Sequence, residues 1–273
     1  MGDITIIAEI GENHHGDWDI AAAMVEAAAN NGADIVKFQS YLPEELSPDD
    51  PEYDWFKQVS FPEKLHFVFK EQVEKLGAEF MSSPFTPSRA AFLCEEVGCE
   101  SIKVASPVMM NFEMLDVINS HADTVKRVYL STGMATIDEI EMALAHLDDI
   151  EEVTILHCVT QYPTPPHLAN LRAITTLSEA FPENPIGYSD HTVGILACLG
   201  AVALGATVLE KHFTFSKLLP GTDHLPGMLP EELAQLREQA DELAQMRGDG
   251  VKAPAPEETE IREFVRSRFH EPA

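Results

Sequence analysis

Short apolar runs alternate along the chain with amphipathic segments of helical period. Each run is rich in β-branched or aromatic residues and ends in polar ones, which is typical of a buried parallel strand followed by a helix. The predicted strands are residues 4–10, 34–40, 79–85, 101–106, 127–132, 152–159, 185–191 and 208–214. The clearest predicted helices are residues 20–31, 63–76, 88–97, 137–147 and 231–246.

Eight such repeats favour a closed (β/α)8 barrel, the TIM barrel. An open doubly wound sheet is the alternative, but it usually carries a glycine-rich GxGxxG turn after an early strand, and this sequence has none. The length of 273 residues suits one barrel. We therefore predict a catalytic barrel over residues 1–250 and, over residues 251–273, a Pro-rich linker with a short helical tail.

Polar residues end every predicted strand. A barrel builds its active site at the carboxyl ends of its strands, so these side chains should meet in one pocket. They are Glu9 and Asn13, Lys37 and Gln39, Ser82 and Ser83, Lys103 and Ser106, Ser131 and Thr132, His157 and Tyr162, Ser189 to His191, and Glu210 to His212.

Residues 41–61 form an unusually long connection that contains Tyr53, Trp55 and Phe56. A connection of this length is either an active-site loop or a solvated excursion. The sequence leaves both interpretations open.

The chain is strongly acidic, with 18 basic and 46 acidic residues and a net charge of −28. Such a field repels nucleic acids and anionic membranes, so neither is an expected partner. It also means that an anionic substrate needs its own local cations, which makes lysines inside strands informative. The sequence shows neither a signal peptide nor a membrane-spanning run, and we expect a cytoplasmic protein. Cys94, Cys99, Cys158 and Cys198 lack paired spacing and are expected to be reduced thiols.

Eight ordered motifs sharpen the prediction. They are Ala8-Glu-Ile-Gly-Glu-Asn-His-His-Gly16, Val36-Lys-Phe-Gln39, Ser82-Ser-Pro-Phe85, Leu130-Ser-Thr-Gly-Met134, His157-Cys158, Tyr162-Pro-Thr-Pro165, Gly187-Tyr-Ser-Asp-His-Thr192 and Glu210-Lys-His-Phe-Thr214.

Over roughly residues 4–248, these motifs resemble the sialic acid synthase (N-acetylneuraminate synthase, NeuB-like) family in the same order. The resemblance implies a metal-dependent barrel enzyme. It would join phosphoenolpyruvate to N-acetylmannosamine or a related aldose, giving a 2-keto-3-deoxy sugar acid and phosphate.

The resemblance assigns six residues to phosphoenolpyruvate. Ammonium groups supply the charge that this anion needs, and short hydroxyls donate hydrogen bonds to its oxygens. The family often has threonine at Ser83. The six residues are Lys37, Ser83, Lys103, Ser106, Ser131 and Ser189.

A divalent ion is expected at His191 and His212, which lie near the ends of consecutive strands. Neutral imidazole suits Mn2+ better than Mg2+, so Mn2+ is the first choice, with Mg2+ or Co2+ as alternatives. For His14, His15 and His157, polar packing explains the residue almost as well as a ligand role.

Glu9, Gln39, Tyr162 and Asp223 match family residues around the sugar. Glu9 and Asp223 could also move protons and, with the two histidines, make up the expected catalytic set. Structural hydrogen bonding is an alternative role for Glu9.

The resemblance is weaker toward the carboxyl end. Family members usually append an antifreeze-like domain that reaches across a homodimer to place an arginine over the partner's sugar, and this sequence is expected to lack it. Thr222 also replaces a common proline. We therefore expect a homodimer with a different acceptor, a less decorated or acidic aldose, unless another chain covers the site.

Two other interpretations stay open. A keto-acid lyase would use Lys103 or Lys211 as a Schiff-base nucleophile. A catalytically silent subunit would bind phosphoenolpyruvate or sugar without releasing phosphate.

Overall fold

The computed structural model describes residues 4–268, apart from the side chain of Glu260. Their strands close into a parallel barrel in chain order, with β1 also paired to β8. This confirms the predicted (β/α)8 fold, while residues 1–3 and 269–273 of the predicted segments lie outside the described residues. The strands are β1 (Thr5–Glu9), β2 (Ile35–Ser40), β3 (Glu79–Pro84), β4 (Ser101–Val104), β5 (Arg127–Ser131), β6 (Glu152–Cys158), β7 (Ile186–Asp190) and β8 (Val208–His212).

Helices follow the strands and form the outer layer. They are α1 (Trp18–Asn30), α2 (Tyr53–Val59), α3 (Glu63–Lys75), α4 (Pro87–Ala91), α5 (Phe112–Asn119), α6 (Ile137–Leu144), α7 (Ala173–Ala180), α8 (Leu196–Ala203), α9 (Pro230–Arg247) and α10 (Glu258–Ser267). Short 3-10 turns cover Pro43–Glu45, Ser106–Val108 and Pro166–Leu168.

Two predicted regions differ in detail. The helix predicted over residues 88–97 is a short α4 continued by a π-helical segment, Phe92–Val97, which ends at Gly98 with φ of 65°. The long connection 41–61 contains α2, which sequence periodicity did not indicate. Among residues 4–268, none of the helices has the length and apolar character needed to cross a membrane.

The barrel interior explains where the polar residues lie. Six inward side chains form a small apolar cluster below the strand ends, separate from the larger core between strands and helices. Because side chains on a strand alternate between faces, the residue two positions later points to the same interior. The cluster comprises Ile7, Ile35, Met81, Tyr129, Leu156 and Val208. Two positions later stand Glu9, Lys37, Ser83, Ser131, Cys158 and Glu210. The apolar cluster is thus the floor of a polar chamber.

Candidate active site

The carboxyl ends of the strands surround a cavity of about 510 Å³. This volume lies within the usual range for small-molecule sites, ~300–1,000 Å³. All twelve residues that the sequence assigned to substrates or metal border it. They are Glu9, Lys37, Gln39, Ser83, Lys103, Ser106, Ser131, Tyr162, Ser189, His191, His212 and Asp223.

Two buried lysines lie at the base of the cavity beside two buried carboxylates. Lys37 Nζ is paired with Glu9 and lies 3.3 Å from Glu210 Oε1. Its ammonium also donates to Ser83 Oγ at 3.0 Å. Lys103 Nζ lies 3.5 Å from Glu210 Oε2. These contacts keep two cations in a protein of opposite overall charge, where an anionic ligand could reach them.

The two carboxylates have opposite pKa shifts. Burial raises the pKa of Glu9 to about 7, although attraction to Lys37 opposes that shift. Burial also acts to raise the pKa of Glu210, but the attraction of Lys103 and Lys37 outweighs it and lowers the pKa to about 2. Near neutral pH, Glu210 therefore stays ionised while Glu9 can gain or lose a proton.

The hydroxyl groups around the lysines differ in their partners. Gly133 N donates to Ser106 Oγ at 3.0 Å. A Cβ at Gly133 would lie 2.7 Å from the same oxygen, so this approach requires glycine. Ser131 Oγ is buried and has no hydrogen-bond partner among the described residues. Its position leaves it able to bond to a ligand oxygen.

His191 and His212 face each other across the cavity, with ring centroids 5.6 Å apart. His191 Nδ1 lies 2.8 Å from the Val159 carbonyl oxygen, so it carries the proton and Nε2 keeps its lone pair. His212 Nδ1 is buried 3.3 Å from Asp223 Oδ2. Burial is the main cause that lowers the pKa of His191 to about 4 and that of His212 to about 3. Both rings are therefore neutral near pH 7, the form that binds a metal ion.

These two imidazoles suit a metal with nitrogen ligands. In the part of the chain that the structure describes, no cluster of three or more His, Cys, Asp or Glu side chains is arranged to hold an ion. An ion held by the two histidines would therefore complete its coordination with substrate or water oxygens.

The residues predicted to contact the sugar converge above the lysines. Gly11 marks their meeting point, because a Cβ there would lie 2.8 Å from Glu9 Oε1, 3.3 Å from Gln39 Nε2 and 3.6 Å from Asp223 Oδ2. Gly11 also has φ of 51°, a conformation that favours glycine. Tyr162 lies on the other side, with its ring centroid 3.9 Å from that of His191.

The connection 41–61 lies at the mouth of the cavity. Trp55 Nε1 donates to Glu12 Oε2 at 2.5 Å, and Gln58 Nε2 donates to the His15 carbonyl oxygen at 3.0 Å. Trp55 and Phe56 both border the cavity. The structure therefore favours the active-site loop over the solvated excursion.

The remaining histidines make protein contacts. His14 Nδ1 accepts from Gly16 N at 2.9 Å, and His157 Nε2 lies 2.9 Å from the Ala169 carbonyl oxygen. His15 Nε2 lies 2.6 Å from His224 Nε2. Each of these contacts accounts for its histidine as part of the local packing.

Sequence reasoning placed Glu210 at the pocket without a specific role and did not place Glu12 or Cys158 there, yet all three border the cavity. Glu210 precedes His212 by two positions on one strand and shares its face. Glu12 lies beyond β1 in a turn, where no periodicity applies.

Lys211 borders the cavity, but its ammonium is engaged elsewhere. Its Nζ donates to Asp190 Oδ2 at 2.6 Å and to the Thr192 carbonyl oxygen at 2.7 Å. The side chains of the pair are 0% exposed. Lys211 is therefore committed to holding β7 and β8 together.

Comparison with known proteins relates this geometry to other chains. The NeuB family model matches residues 24–252. The chain is 37% identical over 285 residues to the N,N'-diacetyllegionaminic acid synthase of Campylobacter jejuni, covering 97% of this chain and 84% of that protein. It is 34% identical over 246 residues to the human N-acetylneuraminate-9-phosphate synthase, covering 85% and 67% of the two chains.

A solved structure is also similar. The crystal structure of N-acetylneuraminic acid (sialic acid) synthetase from Leptospira borgpetersenii, in complex with citrate, superposes with a TM-score of 0.91 at 36% identity. The match covers 98% of this chain and 94% of that one. Both the fold and the sequence therefore correspond over nearly the whole barrel.

Proposed function

The chain belongs to the NeuB family, and we propose that it is a condensing synthase that joins phosphoenolpyruvate to an aldose. The products are a 2-keto-3-deoxy sugar acid and phosphate. The observation that carries this proposal is the convergence of all twelve residues assigned to substrates or metal on one cavity with two lysines at its base. Relatives named as N,N'-diacetyllegionaminic acid synthase and N-acetylneuraminate-9-phosphate synthase support the same reaction class.

Lys37 and Lys103 are assigned to phosphoenolpyruvate. Both ammonium groups face Glu210, and Lys37 also faces Glu9. The anionic oxygens of the substrate take charge-assisted hydrogen bonds from the two lysines. Ser83, Ser106, Ser131 and Ser189 donate further hydrogen bonds from the surrounding strand ends.

The reaction forms a carbon–carbon bond, adds the oxygen of water to C2 and breaks the bond between C2 and the bridging oxygen. C3 of phosphoenolpyruvate attacks the aldehyde carbon, and the aldehyde oxygen takes up a proton. Water then adds at C2 and loses a proton to a carboxylate. The tetrahedral intermediate collapses to the ketone as phosphate leaves with the bridging oxygen. These proton transfers are assigned to Glu9 and Asp223, whose carboxylates both lie beside Gly11.

His191 and His212 are assigned to a divalent ion, with Mn2+ as first choice and Mg2+ or Co2+ as alternatives. Two neutral buried imidazoles fit such an ion. When bound, the ion supplies Lewis-acid polarisation of the aldehyde oxygen. The protein's part is to keep both rings neutral, which burial does, and to orient them, as the bond from His191 Nδ1 to the Val159 carbonyl oxygen does.

A purified-chain assay tests the proposal. Phosphate release is measured from phosphoenolpyruvate and Mn2+ with a panel of aldoses, with and without a chelator. Release should require both an aldose and the ion, and Lys37→Ala or Lys103→Ala should raise the KM for phosphoenolpyruvate. Losing one charge-assisted contact costs ~1.5–3 kcal/mol, or roughly 10- to 150-fold. Phosphate release that does not depend on the aldose would refute the proposed synthase activity.

Two further measurements separate the alternatives. A lyase would form a borohydride-trapped adduct with pyruvate, and Lys103 is the residue to test because Lys211 is held by Asp190. A silent subunit would bind phosphoenolpyruvate without turnover.

We also propose a cytoplasmic location and a homodimer. The four cysteines are free and buried, as suits a reducing compartment. The homodimer rests on the family resemblance, and Leu196 and Leu218, which are 81% and 94% exposed, are candidate contact residues. Sedimentation of the purified chain measures the oligomeric state.

A further inference from the structure

A second cavity, of about 560 Å³, lies beside the catalytic one at the carboxyl ends of β5 and β6. It is bordered by the connections that lead from these strands to α6 and α7, and by the first turns of both helices. Cys158 borders both cavities, so they are neighbours across one strand end. We call this second space the side cavity.

Alternation along the strands explains how two sequence motifs reach both cavities. Ser131 and Cys158 border the catalytic cavity, and the adjacent Thr132 and His157 lie on the opposite face of the sheet. Met134, from the same motif as Ser131, also borders the side cavity. Thr132, Met134 and His157 have no role in the proposed reaction, and they meet here.

The border of the side cavity differs in charge from the rest of the chain. Although the protein has a net charge of −28, no carboxylate borders this cavity among the residues that the structure describes. Glu139, which caps α6, is bonded to Thr136 and lies outside the border. Arg172 is the one bordering arginine or lysine, and it makes no ion pair with any described residue. An unpaired guanidinium without a competing carboxylate favours an anionic ligand.

The polar groups on the barrel wall suit ligand hydroxyls. His157 is 8% exposed, and burial lowers its pKa, which keeps the ring neutral. Its Nε2 donates to the Ala169 carbonyl oxygen, so Nδ1 keeps its lone pair and, within residues 4–268, has no partner. Thr132 Oγ1 donates to the Leu156 carbonyl oxygen and can also accept. The helices supply the apolar part of the border, which comprises Ile137, Ile140 and Leu177.

The backbone is unusual on both sides of the side cavity. Met134 has φ of 69° and Asn170 has φ of 45°, and both residues border the cavity. Left-handed backbone is uncommon for residues other than glycine and is often found at ligand sites. The two connections are thus shaped around this space.

Resting on the proposed function, we propose that the side cavity is a second binding site for a sugar-sized carboxylic acid, and that the 2-keto-3-deoxy sugar acid made by the reaction is its ligand. Arg172 binds the carboxylate, and His157 and Thr132 accept hydrogen bonds from hydroxyls. The apolar side chains of α6 and α7 cover the carbon skeleton. The space is sufficient, since the catalytic cavity of about 510 Å³ must hold both substrates and the side cavity must hold only their product.

Methionine-methyl NMR with carbon-13 labelling separates the two cavities. Met134 borders the side cavity, and Met81 lies in the floor of the catalytic chamber. The Met134→Leu and Met81→Leu variants assign the two signals. The probes are N-acetylneuraminate, which is a 2-keto-3-deoxy sugar acid, and its uncharged methyl ester. N-acetylneuraminate should shift the Met134 signal to saturation, and the ester should bind ~10-fold or more weakly because it lacks the charge-assisted contact.

Arg172→Gln should weaken the Met134 titration by ~10-fold or more and leave the Met81 response to phosphoenolpyruvate unchanged. Arg262→Gln is the matched control, because it removes an exposed arginine from α10, outside both cavities. Its titration should equal that of the unmodified chain. A Met134 signal that does not move, or that responds equally to the ester or in Arg172→Gln, would overturn the second site. Absence of phosphate release with every aldose would refute the synthase and the product as ligand, whereas the Met134 titration decides the carboxylate site itself.

Discussion

Single residues in the chamber take their properties from their neighbours. Glu9 and Glu210 lie beside the same lysine, yet the pKa of Glu9 is raised to about 7 and that of Glu210 is lowered to about 2. The difference follows from charge, since Glu210 faces two lysines. One carboxylate thus anchors the lysines while the other can exchange a proton near neutral pH.

Glu12 should make the stability of the protein depend on pH. Its pKa is about 7 in the folded state, mainly through burial, against an ordinary value of 4.5. Between these values the folded state binds more protons than the unfolded state, so stability falls as pH rises from 4.5 toward 7. One such group contributes at most ~1.4 kcal/mol per pH unit. Urea unfolding at pH 5, 6, 7 and 8 should give a shallower decline for Glu12→Gln than for the unmodified chain. Parallel curves would contradict the raised pKa.

Gly11 should be needed for efficient use of the acceptor but not for binding of phosphoenolpyruvate. In Gly11→Ala the new methyl group would meet Glu9 Oε1 at 2.8 Å, and the φ of 51° adds ~1 kcal/mol of backbone strain. We expect at least a ~10-fold loss in kcat/KM for the aldose, with phosphoenolpyruvate affinity retained in calorimetry. Ala substitution at Gly77 is the control, since that glycine has φ of 82° and open space around it. Equal losses in both variants would point to backbone strain alone.

At the scale of elements, β7 and β8 are joined by a buried ion pair as well as by backbone hydrogen bonds. Asp190 and Lys211 are neighbours in the register of the two strands, and both side chains are fully buried. The flanking positions carry His191 and His212, whose rings point into the cavity. The ion pair thus holds the two strand ends that present the histidines.

Breaking this pair should destabilise the barrel strongly. Lys211→Met leaves Asp190 buried without its cation, which typically costs ~3–5 kcal/mol. The double variant Lys211→Met with Asp190→Asn removes both charges and should recover part of that loss. Urea unfolding gives the free energy of unfolding of the unmodified chain, the single variant and the double variant. A single variant as stable as the unmodified chain would show that the pair contributes nothing.

At the scale of the whole molecule, the barrel was predictable because its signals repeat. Each strand is short, apolar and ended by polar residues, so eight repetitions identify the closed sheet even where individual bounds shift by a residue or two. The chamber was predictable for the same reason, since Glu9, Lys37 and Ser83 lie two positions beyond floor residues on their strands.

Contacts that depend on loops were not predictable. Trp55 reaches Glu12 only because α2 folds back over the end of β1. Lys211 could be placed on a strand. Nothing in the local sequence identified Asp190 as its partner, and nothing there excluded Lys211 as a nucleophile. Glu12, Glu52 and Asp223 likewise lie on three separate connections, and all three border the cavity because the barrel closes.

The fate of the bridging oxygen of phosphoenolpyruvate tests the central claim most directly. The chain is incubated with phosphoenolpyruvate labelled with oxygen-18 at the bridge, an accepted aldose and Mn2+, and the products are analysed by mass spectrometry. A condensing synthase breaks the bond between C2 and the bridging oxygen, so the phosphate should carry the label and equal the keto sugar acid in amount. Label retained in pyruvate, or phosphate formed without a keto sugar acid, would contradict the account.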